Sequence, residues 1–157
     1  MIHTENTILM NAPLERIFAV ATDLAAWPKI LPHYRWIRFL EQTPGRTIIA
    51  MAAWRTILPL AGLKIPIQWT SELQIDGPKK EIRFRHLKSF TKGMLVIWTF
   101  SPSGGGINVK ITHDFSSEVP IVGGMLVEPI AGGFFAHYVA DRTLECMKIF
   151  VEHNYGS

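Results

Sequence analysis

Cysteine is almost missing from this sequence: Cys146 stands alone among 157 residues, so neither an internal disulfide nor a thiolate metal cluster can form. On an apolar stripe, as here, a lone thiol reads as a small buried hydrophobe. Charge is sparse as well. Charged residues make up 18% of the chain and the net charge is +3, with lysines and arginines scattered along it, so no nucleic-acid footprint is drawn. No apolar run reaches the ~18 residues a membrane-spanning helix needs without meeting a charge or a proline. The opening "MIHTENTILMNAP" has neither the basic flank nor the apolar centre of a secretion signal. These absences lead us to expect a cytoplasmic protein. What the chain has in quantity is apolar surface, 48% hydrophobic and 11% aromatic residues. At this length that suits a single domain over residues 1–157, whose core buries ~70% of the surface an unfolded chain exposes.

Periodicity supplies the element order. Residues 3–10 read as a short strand, and "NAPLERIFAVATDL" as a helix that Asn11 can cap, with Pro13 in its first turn and Glu15 favouring its dipole. "WPKILP" allows one further turn at most, because Pro32 forces Leu31 towards extended geometry. Six extended runs follow at 34–42, 46–57, 64–76, 80–87, 92–101 and 106–117, joined by short turns such as "TPG" and "PSGGG", which implies an antiparallel meander. From Phe134 to about His153 the pattern is helical. Phe135, Val139, Cys146, Ile149 and Phe150 form one apolar stripe, and Ala140, Leu144, Met147 and Val151 a second beside it. So wide an apolar face requires burial, and a curved antiparallel sheet offers its concavity.

That order, with "NAPLERIF", "DLAAWPKILPHYRWIRFLE", "WTSEL" and "IWTFSPSGGGINVKITHDF", resembles the START-like, birch-pollen-allergen-like superfamily, in particular its polyketide cyclase/dehydrase branch. The resemblance spans nearly the whole chain. It implies an α+β helix-grip fold, a curved seven-stranded antiparallel sheet wrapped around a long C-terminal helix, with a hydrophobic cavity between them. In the aromatic polyketide cyclases that the chain resembles, an arginine points into that cavity from the strand after "W-x-S". The matching position here is Leu73, so that group is missing, whereas Tyr34 matches a tyrosine near their cavity.

Strand parity places the candidate lining. Ile82, Phe84 and His86 share a face, as do Ile107, Val109, Ile111, His113 and Phe115, and Ile65, Ile67, Trp69, Ser71, Leu73 and Ile75. Folding the hairpins back sets Trp69 beside His86, His86 beside Met94, and Met94 beside His113, one row across the concave face. The expected ligand-binding residues are therefore Tyr34, Trp69, Leu73, His86, Met94, Trp98, His113, Phe135 and Val139. His86 and His113 suit three roles: bonded core histidines, a ligand-orienting pair, or, with Tyr34, acid and base. Two strand spacings apart, roughly 10 Å, and with no third ligand, they make no metal site, and no cofactor is expected. At one end of the meander the connections "ILPLAGLK" and "VPIVGGMLVEPIAGG" are apolar, so Leu58, Leu60, Val122 and Met125 are candidates for a portal beside Lys64, Lys88 and Lys92. The function expected is binding, and transport, of a hydrophobic small molecule such as a lipid, isoprenoid, quinone or aromatic polyketide. The alternatives are a polyketide cyclase/dehydrase and a nonenzymatic partner of a membrane or ribosomal assembly. Transient contact with a membrane surface fits the apolar connections, nucleic acid does not fit the charge, and monomer and homodimer both stay open.

Overall fold

The computed structural model describes residues 2–57, 63–88, 91–115, 121–122, 125–126 and 134–153. Strand β1 (Ile2–Met10) leads into helix α1 (Leu14–Thr22), a 3-10 turn (Leu24–Ala26) and the single-turn helix α2 (Trp27–Ile30). The meander follows as β2 (Tyr34–Thr43), β3 (Arg46–Ile57), β4 (Leu63–Asp76), β5 (Glu81–His86), β6 (Leu95–Ser103) and β7 (Gly106–Phe115). A small ribbon, β8 (Ile121–Val122) with β9 (Met125–Leu126), precedes the 20-residue helix α3 (Phe134–His153). The seven long strands form one antiparallel sheet in the order β1-β7-β6-β5-β4-β3-β2, and α3 packs against β1, β3 and β7 in the helix-grip arrangement. Among the described residues no helix is long and apolar enough to cross a membrane.

Three local expectations are corrected. Asn11 does not cap α1: Pro13 occupies the cap position without a side-chain bond, and the Asn11 backbone N–H donates instead to Glu152 Oε1 on α3 at 2.8 Å. The face of α3 is also rotated from the expected pair of stripes. Val139, Ala140, Leu144, Met147 and Val151 are buried together with Thr143, whereas Ile149 is 58% exposed. That rotation turns a hydroxyl into the core. Finally, two hairpins pair two residues away from the expected register. Ser103 lies opposite Gly106, so Phe100 faces Val109 and Trp98 faces Ile111. The reason is a two-residue turn at Gly104 and Gly105, both with positive φ (53° and 91°), a backbone that glycine adopts without strain and that matches strand twist. In the β4–β5 hairpin Asp76 pairs with Glu81 across a four-residue turn, which sets Ser71, not Trp69, opposite His86.

The sheet edges are protected in different ways. Along β1, Lys148 Nζ donates to the Leu9 carbonyl at 2.7 Å, Asn6 Nδ2 donates to Asp141 Oδ1 at 3.1 Å, and Glu152 holds Asn11. Lys148 of α3 thus occupies a backbone carbonyl of the edge strand, and the other two bonds tie the helix alongside it. Along β2 the register shifts twice, between Tyr34 and Trp36 and between Phe39 and Glu41. Such bulges bend an edge away from flat pairing with another chain.

Candidate functional site

Between the concave face and α3 lies a cavity of about 50 Å³. Its walls are aromatic, with Trp27 from α2, Trp69 from β4, Phe84 from β5 and Trp98 from β6, and they are completed by Met51, Met94, Val96, Ile111, Val139 and Ala140. Trp27 is the hub. It is almost fully buried, with its ring centroid 5.3 Å from Tyr34, 5.6 Å from Trp98 and 6.3 Å from Phe84, and its indole N–H donates to the Val20 carbonyl at 3.3 Å. This is why Trp27, Pro28 and Pro32 are crowded into one short stretch: the single turn of α2, ended by an extended Leu31, drives one indole into the mouth of the sheet.

Polar groups enter this greasy space from the helix side and from the sheet, where His113 of β7 is one of them. On the helix side, His33 Nε2 lies 2.9 Å from Thr143 Oγ1, which is 2.7 Å from the Val139 carbonyl and 3.5 Å from the Tyr34 hydroxyl. A carbonyl can only accept, so the single Thr143 hydroxyl proton goes to Val139. The Thr143 oxygen then accepts from His33, which fixes the Nε2–H tautomer. On the sheet side, His86 Nδ1 lies 2.9 Å from Thr91 Oγ1, and the His86 ring is stacked parallel to Trp69 with centroids 6.2 Å apart. Burial pushes the His86 imidazole down to about 4. Burial, helped by the nearby Arg142 guanidinium, does the same to His33, and burial pushes the Tyr34 phenol up to about 12. At neutral pH the two imidazoles are therefore uncharged and the phenol keeps its proton. No lysine, arginine, aspartate or glutamate lines the cavity among the described residues, and no group of three or more potential metal ligands is found among them.

Of the residues expected from sequence, Tyr34, Trp69, His86, Met94, Trp98, His113 and Val139 all line this cavity. The expected single row does not exist. His86 exchanges backbone hydrogen bonds with Met94 and Gly93, but His113 lies opposite Val96, one step along the sheet. Leu73 is buried on the inner face opposite Phe84, outside the cavity lining. Phe135 belongs to α3, Val122 to β8 and Met125 to β9, with side chains outside the described residues, and Leu58 and Leu60 lie wholly outside them. His33 and Thr143 were missed. His33 sits in a turn with no parity to read, and a threonine in a helix gives no periodic signal. Ser71, whose parity sets it on the inner face, is fully buried opposite His86, and its Oγ has no hydrogen-bond partner among the described residues.

A family model described as polyketide cyclase / dehydrase and lipid transport matches residues 1–148. A Streptomyces cyaneus protein named for polyketide cyclisation is 25% identical over 117 residues, 74% of each chain. Among solved structures, a Thermus thermophilus protein, TTHA0849, superposes with a TM-score of 0.77 at 19% identity, covering 99% of this chain and 100% of that one. The Zhui aromatase/cyclase from Streptomyces sp. R1128 does so with a TM-score of 0.74 at 20% identity, covering 97% and 94%. At such identities the likeness to solved structures is one of fold.

Proposed function

The chain belongs to the polyketide cyclase/dehydrase and lipid transport family, and from that premise we propose that it acts as one domain that binds a hydrophobic small molecule, with rings as the favoured shape, between the sheet and α3. The observation that carries this is the cavity itself, walled by three tryptophans and a phenylalanine, with hydrogen-bonding groups at only a few points. Such a lining is what small-molecule sites use: apolar area for affinity and a few polar groups for orientation. At about 50 Å³ the space is smaller than the ~150 Å³ that admits a benzene ring. A ligand must therefore widen it, and Met51 and Met94, unbranched and adaptable, are the softest described parts of the wall.

Two measurements test the proposal. Native mass spectrometry of protein purified without detergent should show a small molecule travelling with the chain. Nile red, neutral and apolar, should bind with a Kd of micromolar order, ~−8 kcal/mol. Ala140→Phe, which fills the cavity from α3, should weaken it about tenfold or more while helicity is retained. Absence of any bound molecule, together with unchanged dye affinity in Ala140→Phe, would sink the binding function.

A second reading, cyclase or dehydrase, is favoured by one feature. Neutral His86 and protonated Tyr34 face the same cavity, and enolisation or dehydration of a polyketone needs one group to take a proton and another to give one. Leu73, apolar where the related cyclases carry an arginine, weighs against it. If His86→Ala or His113→Ala abolished a measurable cyclisation and left Nile red affinity intact, this reading would replace the first.

A further inference from the structure

The convex side of the same strands carries a feature that the cavity does not use. Met51 lines the cavity, so its neighbours on β3 point the other way, and Trp36, Arg38 and Trp54 share that outer face. The Arg38 guanidinium lies 4.1 Å above the Trp36 ring, and that of Arg35, the extra residue of the first bulge, lies 4.6 Å above Trp54. Both arginines are exposed, as is Lys64, opposite Thr56 on the same face, and both indoles are half-buried. Neither arginine has an ion-pair partner among the described residues. Charge is also segregated along these strands. Stretches 34–40, 49–57 and 63–71 contain no aspartate or glutamate. The first carboxylates, Glu41 and Glu72, both lie opposite Ile48 towards the other end, and Glu72 is already paired with Arg46.

We propose that this face of β2, β3 and β4 docks on an anionic lipid bilayer. Two observations select that occupant. The charge is of one sign and uncompensated, which suits phosphate-bearing headgroups. The indoles, apolar bodies with a polar edge, are side chains that settle at the bilayer interface. Single-stranded nucleic acid, the other polyanion with a taste for aromatic rings, fits less well because the chain's own guanidiniums already lie over both indoles. That the docked bilayer is where cargo is loaded rests on the binding function proposed above; the docking itself does not.

Co-sedimentation with vesicles of phosphatidylcholine, alone or with 30% phosphatidylserine, tests the docking at ~0.1 M salt. The protein should sediment with the anionic vesicles only, and less as salt rises. Each charge contributes about fivefold, so Arg35→Gln/Arg38→Gln should lower partitioning about 25-fold. Arg35→Lys/Arg38→Lys should keep most of it. Nile red affinity in solution should be the same in all of these, which shows that the variants fold and separates this outcome from the fate of the cavity. No sedimentation with anionic vesicles overturns the proposal, as does unchanged partitioning of the glutamine variant. So does tighter binding to a uridine oligonucleotide than to vesicles at the same salt, with the same loss in the glutamine variant.

Discussion

His33 and His86 are both buried, both sit 2.9 Å from a threonine hydroxyl, and both are held down to about 4. Their bonds span very different stretches of chain: 110 residues separate His33 from Thr143, and five separate His86 from Thr91. The first pair ties the turn before β2 to the long helix, on the helix side of the cavity that Thr143 lines. The second pins the loop after β5 onto the end of its own strand, where the His86 N–H also donates to the Met94 carbonyl and its carbonyl accepts from the Gly93 N–H. The same chemistry therefore does two jobs. One pair sets where α3 lies over the sheet, and the other sets which way a single imidazole points.

The largest expected effect strikes both pairs at once. An imidazole ordinarily titrates near 6.5, so between about 6.5 and about 4 an unfolded chain takes up protons that the folded one refuses. Stability is complete above 6.5 and declines as pH falls towards 4, at about 1.4 kcal/mol per pH unit for each histidine, or about 3 kcal/mol per histidine over the window. Denaturation midpoints at pH 7.5, 6 and 5, with imidazole NMR shifts followed alongside, check this. Two imidazoles that titrate near 6.5 in the folded protein would remove the parallel between the pairs.

The next effect separates them. Thr143→Val removes the hydroxyl that accepts from His33 Nε2–H and leaves it the Val139 carbonyl as its acceptor, at a cost of about 1.5 kcal/mol. Because that bond joins distant elements, the change should also loosen α3, seen as faster amide exchange along β1, which α3 covers. Thr91→Val is the smallest, about 1 kcal/mol, because Lys88, Lys92 and Gly93 around it are exposed, so a small shift of the loop lets water reach His86 Nδ1. Its exchange signature should stay within the loop between β5 and β6. Equal costs with equal spread of exchange would break the distinction between the long-range pair and the local one.

Much of this protein was legible before any coordinates. The change from period 3.6 to period 2 after Pro32, the glycine-rich turn before Gly106 and the apolar breadth of residues 134–153 marked the helices, the meander and the grip of one on the other, because those signals are local and repeated along the chain. Parity put His86, His113 and Trp69 on the concave face, folding the hairpins back added Met94 and Trp98, and all five line the cavity. A two-residue error in hairpin register leaves every side chain on its face, so the faces survived and the row did not. What the tertiary structure alone decided was pairing across long stretches of chain. Nothing near His33 announces Thr143, nothing near Leu9 announces Lys148, and the rotation of α3 that buries Thr143 and exposes Ile149 follows from how the whole helix seats on the sheet. Periodicity shows that a helix has a buried side; which hydroxyl reaches which imidazole is set by the packing of residues that are neighbours only in space.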